Sequence, residues 1–149
     1  MSDCFVCRKH RGEIDLPGGP LFQDELVYSS HGVIGEGRSS AYLGTLFVEP
    51  KRCVPGFGDL TPAEAERVGW LASRLARALR ESEGAEHVYL FVLGAHVPHL
   101  HLWVVPRYPG TPNEFRPMRL AEWPGAPRGG ATEIAALCGR VRSHLGAAS

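Results

Sequence analysis

The six residues from His99 to Val104 alternate strictly between two kinds of side chain: His, Leu, His, Leu, Trp and Val. Successive side chains of a strand point to opposite faces, so the two histidines and Trp103 share one face and the aliphatic residues share the other. At a rise of about 3.3 Å per residue, the two imidazoles lie about 7 Å apart. A lone histidine of this kind is usually an ordinary surface or half-buried residue. A pair at period two, with His96 close by, favours a functional site beside a core-facing strand.

The remaining periodic segments indicate the fold class. Residues 17–30 predict a hairpin, and the apolar runs 42–50 and 87–93 predict two buried strands. Thr61, Pro62 and Glu64 form a helix start with a capping box, and Gly84 predicts its end. A stretch with six prolines, 106–127, separates the alternating strand from a last helix over 132–145 that buries apolar side chains (Ile134, Leu137, Cys138, Val141 and Leu145). The 149 residues therefore predict one α+β domain over 1–149, a mostly antiparallel sheet with one long capped helix and a C-terminal helix.

Charge and composition narrow the range of partners. Sixteen basic residues balance sixteen acidic ones, so we expect neither a nucleic-acid footprint nor an anionic membrane surface as partner. The first ten residues, MSDCFVCRKH, contain no apolar core of an export signal, and no segment is long and apolar enough to span a bilayer. We therefore expect a cytoplasmic protein, whose reduced cysteines are metal ligands or core residues rather than disulfides.

Cys4 and Cys7 have the two-residue spacing of a zinc knuckle. The alternatives are a redox pair, which would require a strand-to-helix junction in a βαβ unit, or two solvent-exposed thiols. A knuckle needs two more ligands, and the sequence alone leaves four candidates open: His10, His31, Cys53 and His99. Cys138 lies on the apolar face of the last helix and is predicted to be a core residue.

Three motifs together resemble the histidine triad (HIT) superfamily. VPHLHLWVVPR, residues 97–107, resembles the triad motif, and GTLFVEPKRC, residues 44–53, resembles the upstream strand and loop. CFVC, residues 4–7, is similar to the zinc knuckle of the zinc-containing bacterial branch. The resemblance extends from about Cys4 to Tyr108, so that residues 1–108 form the family core and 109–149 a Pro-rich arm and C-terminal helix.

The resemblance implies a fold, a metal site and a chemistry. It implies a HIT-like fold, a homodimer, and a structural Zn²⁺ held by four ligands (Cys4, Cys7, Cys53 and His99). His101 corresponds to the middle histidine of the triad, which attacks the α-phosphorus of a nucleotide and forms a nucleotidyl-histidine intermediate. A neutral imidazole is the nucleophile that this chemistry needs, with a neighbour to orient its second nitrogen.

Several positions depart from the family pattern. Trp103 occupies the third triad position, which makes the motif His-x-His-x-Trp, and an indole cannot act as a general acid. Ala95 stands where the family commonly has glutamine, residues 29–32 stand where an aspartate often holds the ribose, and the upstream phosphate-binding asparagine is absent. We expect His96 and Trp103 to shape the substrate pocket.

Two functions of different classes follow. The first is a hydrolase or nucleotidyl transferase that attacks a phosphoanhydride, phosphoester or phosphoramidate through His101. The second is a zinc-stabilised module that binds a nucleotide or other small ligand without turning it over, or that serves a repurposed activity. The missing third histidine favours the second. In both cases the partner is a nucleotide-like small molecule.

Overall fold

A computed structural model of the protein describes residues 3–94 and 96–146. Within them the helices are α1 Phe5–His10, α2 Pro62–Glu83 and α3 Ala131–Gly146. The strands are β1 Pro20–Gln23, β2 Val27–His31, β3 Ala41–Tyr42, β4 Leu46–Pro50, β5 His87–Phe91, β6 Leu102–Arg107 and β7 Arg128–Gly129. Short 3₁₀ turns occupy Phe57–Asp59 and Pro117–Glu122. None of the described helices is long and apolar enough to cross a membrane.

The main sheet has five antiparallel strands in the order β1-β2-β4-β6-β5, and β3 pairs with β7 in a separate two-stranded sheet. The predicted α+β architecture is therefore confirmed, including the hairpin of β1 and β2. Phe47 of β4 lies opposite Trp103 of β6, so these two side chains share a face of the sheet. The other face carries α2 and α3.

The long helix forms where the capping signal predicts it. The Thr61 hydroxyl accepts the Glu64 amide proton, and a Glu64 carboxylate oxygen accepts the Thr61 amide proton at 2.8 Å. Gly84 ends α2 in the left-handed conformation with φ 71°, which glycine adopts without strain. The buried side of α2 (Val68, Leu71, Leu75 and Leu79) packs on the sheet residues Leu46, Val48, Leu102 and Val104. This core holds the strands that carry the site.

The C-terminal helix also agrees with its prediction. Its buried residues are the five predicted ones: Ile134, Leu137, Cys138, Val141 and Leu145. Cys138 is completely buried in the core, and this burial raises the pKa of its thiol. An unreactive packing role for Cys138 follows from this environment.

The Pro-rich arm covers part of the face opposite α2. Leu120 in the arm is buried against a small cluster that includes Tyr42, Val105 and Tyr108. Arg107, at the end of β6, donates hydrogen bonds to backbone carbonyls of the arm (Thr111, Pro112 and Phe115) at 2.9 Å. These bonds hold the arm against the sheet.

Three details of the prediction are wrong. Residues 87–93 do not form a buried strand, because β5 is an edge strand and Leu90 is 47% exposed. The alternating strand begins only at Leu102, so both motif histidines precede it, outside regular secondary structure. Finally, the knuckle continues into the unpredicted helix α1, in which the Cys4 thiol accepts the Cys7 amide proton at 3.3 Å.

Candidate functional site

The structure brings four predicted metal ligands together. The ligand atoms of Cys4, Cys7, Cys53 and His99 all lie within 4.8 Å of one another. The Sγ atoms of Cys4 and Cys53 are 3.9 Å apart, and His99 Nδ1 is 3.5 Å from Cys4 Sγ and 3.4 Å from Cys7 Sγ. A tetrahedral zinc with Zn–S bonds of about 2.3 Å and a Zn–N bond of about 2.0 Å would separate two sulfurs by about 3.8 Å and a sulfur from the nitrogen by about 3.5 Å. The cluster therefore fits a structural Cys₃His zinc site.

A hydrogen bond fixes the protonation of His99. Its Nε2 donates to the Pro50 carbonyl at 2.7 Å, so Nδ1 carries the lone pair that faces the three thiols. Burial lowers the pKa of His99, which is 0% exposed, and this favours the neutral ligand form. The bond also ties the ligand to the end of β4, where Pro50 closes the strand.

The other two histidine candidates make different contacts. His31 donates from Nδ1 to the Gly32 carbonyl and accepts the Gly44 amide proton at Nε2, with both distances at or below 3.0 Å. His10 Nε2 contacts a Glu49 carboxylate oxygen at 3.0 Å. His31 therefore joins β2 to the turn after β3, and His10 bonds to a carboxylate in place of a metal.

His101 follows the metal ligand His99 by two residues, and its imidazole is oriented by the backbone. Its Nδ1 donates to the His99 carbonyl at 2.8 Å, so Nε2 carries the lone pair. The ring lies 5.9 Å from the Phe47 ring and lines a cavity of about 300 Å³. An imidazole held in one orientation at a cavity wall has the geometry of a nucleophile.

Aromatic side chains form the neighbouring wall. The Trp103 ring lies 4.6 Å from Phe47 in an edge contact and 5.5 Å from Phe91 in a stacked one. Its Nε1 is buried and has no hydrogen-bond partner among the described residues. A buried N–H without an acceptor costs free energy.

The cavity lies between α1 and the sheet and is wide enough for a small ligand. Its lining includes residues from α1, the segment after β2, β4 and the motif (Phe5, Val6, Lys9, Gly32, Phe47, Glu49, Val97, His101 and Trp103). The prediction that His96 shapes the pocket receives no support, because His96 is exposed and the neighbouring Val97 lines the cavity. Ala95, the position at which the family commonly has glutamine, lies outside the described residues.

A buried charge network at the cavity wall was not predicted. Lys9 Nζ contacts Glu49 Oε2 at 2.7 Å, and the two side chains are only 5% and 1% exposed. Burial by itself would raise the pKa of Glu49, but the hydrogen bond from His10 and the charge of Lys9 outweigh it and leave that pKa below its usual value. Glu49 in the apolar run 42–50 is the one sequence signal for this network, because a carboxylate in a buried strand needs a partner.

Comparison with known proteins identifies the fold independently. The chain is similar to a Zn-bound histidine triad family protein from Mycobacterium smegmatis, with 24% identity, a TM-score of 0.70, and coverage of 99% of this chain and 98% of that one. The chain is similar to a Hit-like protein from Bartonella henselae, solved with an unknown ligand, with 16% identity and a TM-score of 0.70. The alignment covers 96% of this chain and 97% of that one. A hypothetical histidine triad nucleotide-binding protein from Sulfolobus tokodaii is also similar, with 15% identity and a TM-score of 0.71. The alignment covers 97% of this chain and 93% of that one. At these identities the likeness shows the HIT-like fold alone.

The sequence comparisons give the family. No curated protein sequence matches the chain. The profile of the HIT domain matches residues 24–110, which span β2, β4, α2 and the motif with His99 and His101. This match covers more than half of the 149 residues, and the chain belongs to the HIT domain family.

Proposed function

We propose that this protein is a nucleotide-binding hydrolase or nucleotidyl transferase in which His101 is the nucleophile. The observation that carries the proposal is the imidazole of His101, which lines the cavity while its Nδ1 donates to the His99 carbonyl. Membership of the HIT domain family supports the reaction class. The Sulfolobus tokodaii relative is named as nucleotide-binding, which supports the ligand class.

The proposed reaction has two displacement steps. The lone pair of His101 Nε2 attacks the α-phosphorus, a P–N bond forms, and the bond from phosphorus to the leaving group breaks with its electron pair on the leaving group. Water or another hydroxyl acceptor then attacks the same phosphorus, loses its proton to solvent, and the P–N bond electrons return to Nε2. The Nδ1 hydrogen bond to the His99 carbonyl keeps the ring oriented through both steps.

Trp103 determines which leaving groups suit this site. Its indole N–H is a hydrogen-bond donor without an exchangeable acid in the useful pH range, so it cannot protonate a leaving group. The proton then has to come from water, which favours leaving groups that are stable as anions. We therefore propose phosphoanhydrides, which release a phosphate, as better substrates than phosphoramidates, which release an amine.

The test is an adduct trapped on the protein. Wild type, His101→Ala and His144→Ala are incubated with nucleoside di- and triphosphates and analysed by intact mass at alkaline pH, because the P–N bond is labile in acid. We expect a nucleotidyl adduct or nucleoside monophosphate product in wild type and in His144→Ala, whose histidine lies on α3, away from the cavity. Neither should form in His101→Ala. Equal turnover by His101→Ala would contradict the proposal.

A second function is supported by Trp103. The third triad position carries no acid, so the cavity could hold a nucleotide without turning it over. Saturable binding of the same nucleotides to wild type, with no adduct and no product, would establish this binding module in place of the enzyme.

We also propose that zinc occupies the Cys₃His cluster and has a structural role. A four-ligand protein site leaves no open position for water, so the metal binds no substrate. Elemental analysis of purified protein should give about one zinc per chain. Folded protein without metal, whose thiols at Cys4 and Cys7 react with alkylating reagents, would exclude this role.

We also propose that the protein forms a homodimer, as the family resemblance implies. Strand β5 is an edge of the main sheet and presents Leu90 at 47% exposure, which is an aggregation risk unless another chain pairs with it. Light scattering coupled to gel filtration would measure the mass directly, and a monomer at all concentrations would exclude a stable dimer.

A further inference from the structure

Lys9 places a buried positive charge in the wall of a largely apolar cavity. Its ammonium group is 2.7 Å from Glu49 Oε2, and Glu49 is held in turn by His10. An ammonium group has three N–H donors, and among the described residues Glu49 is the only hydrogen-bond acceptor of Lys9. Two donors therefore remain for a ligand.

The position of Phe47 relates Lys9 to the nucleophile. Lys9 Nζ is 5.5 Å from the centre of the Phe47 ring, and the His101 ring is 5.9 Å from the same ring. All three residues line the same cavity. A planar ligand that fills this cavity would therefore lie within reach of both the ammonium of Lys9 and the imidazole of His101.

We propose that Lys9, anchored by Glu49, selects a base that presents adjacent hydrogen-bond acceptors, and that the ligand is a 6-oxopurine nucleotide rather than an adenine nucleotide. The inference rests on the proposed function and specifies its substrate class. Guanine and hypoxanthine present O6 and N7 side by side, and both are acceptors for lysine. Adenine presents N7 beside an amino group, and an amino donor facing a donor-only ammonium makes no hydrogen bond.

A purely structural role does not explain well why Lys9 and Glu49 are buried as an ion pair. Replacing a buried pair by apolar residues is often neutral or stabilising, so stability alone gives weak reason for a pair of charges here. A lysine that recognises a ligand must be held in a fixed position and must have its charge compensated. Glu49 does both for Lys9, because it holds the ammonium in place and compensates its charge when the cavity contains no ligand.

The test compares three nucleotides and three proteins. Guanosine, inosine and adenosine 5′-monophosphate are titrated by calorimetry into wild type, into Lys9→Met combined with Glu49→Gln, and into Lys51→Met. The double variant removes both charges together, and the amide oxygen that Glu49→Gln introduces still accepts a hydrogen bond from His10, so no unpaired charge remains buried. Lys51 is the only other lysine in the chain and bonds to Gln23 away from the cavity, which makes it the matched control. Zinc content and the unfolding transition establish that each variant is folded.

In wild type and in Lys51→Met, the guanine and hypoxanthine nucleotides should bind about tenfold more tightly than the adenine nucleotide. The double variant should lose this preference because the two 6-oxopurine nucleotides bind more weakly. Inosine monophosphate lacks the 2-amino group, so its agreement with the guanine nucleotide assigns the effect to O6 and N7. An unchanged preference in the double variant, or tighter binding of adenosine monophosphate by wild type, overturns the role of Lys9 and leaves His101 chemistry intact. Failure of all three nucleotides to bind overturns the proposed function and this inference together.

Discussion

Replacing Lys9 by methionine alone should destabilise the protein strongly. Methionine retains most of the volume of the lysine stem but leaves the Glu49 carboxylate, which is 1% exposed, without its closest positive partner. Removing one member of a buried ion pair costs about 3–5 kcal/mol because the remaining charge is uncompensated. His10 still contacts Glu49 Oε1 at 3.0 Å, so we expect a loss of about 3 kcal/mol, at the lower end of that range.

This loss can be measured by thermal and urea unfolding at fixed zinc concentration. For a chain of this size each 1 kcal/mol lowers Tm by about 2–4 °C, so Lys9→Met should lower it by about 6–12 °C. Adding Glu49→Gln to Lys9→Met should recover much of this loss, which would give a favourable coupling energy in a double-mutant cycle. The reasoning is refuted if Lys9→Met costs less than about 1 kcal/mol, or if the losses of the two single variants simply add.

Three further changes probe other parts of the structure. Cys7→Ser should abolish stoichiometric zinc, measured by elemental analysis, whereas Cys138→Ser in the core should keep the metal and lose only stability. Gly44→Ala should destabilise by about 2 kcal/mol in urea unfolding, because Gly44 has φ 91° and an added Cβ would lie 2.6 Å from the Pro106 ring. The Arg52 hydrogen bond lowers the pKa of Glu64 to about 2, so its stabilisation is present above the unfolded value near 4.5 and is lost as pH falls towards 2. Glu64→Gln should therefore weaken the acid dependence of unfolding, and an unchanged pH profile would contradict that assignment.

Local signals in the sequence predicted the regular elements well. The capping box at Thr61 and the terminating Gly84 depend on residues within one helical turn, and both are found as predicted. The apolar spacing of α3 likewise identified every buried residue of that helix. Such features depend on near neighbours along the chain, so they can be inferred before any tertiary contact is known.

The edge position of β5 could not be inferred in the same way. An apolar run such as 87–93 predicts burial, but the exposure of Leu90 depends on which strand lies beside it. Strand order is set by connections between distant segments, here by the crossover through α2 that places β6 between β4 and β5. Hydrophobicity alone therefore distinguishes strands from loops better than it distinguishes central strands from edge strands.

Some residues of the candidate site could likewise be predicted from the sequence, and others could not. Cys4 and Cys7 were found through their spacing, whereas Cys53, His99 and His101 were assigned through the family resemblance, and the cluster of four ligand atoms agrees with the predicted metal site. Lys9 and Glu49 are forty positions apart, and although Glu49 lies within the segment GTLFVEPKRC, no motif assigns either residue a role, so their contact became visible only in three dimensions. Buried charges in segments that appear apolar are the signal that could have pointed to them.

The short helix α1 connects the metal site with the cavity. A helix of six residues does not form by itself in water, so α1 depends on what holds it to the sheet. Cys7 in α1 and Cys4 at its start reach the metal cluster, while Phe5 and Lys9 of the same helix line the cavity. Metal binding therefore stabilises one cavity wall, and through His99 it also anchors the segment that carries the proposed nucleophile. We therefore expect zinc to maintain the shape of the proposed ligand site without contacting the ligand.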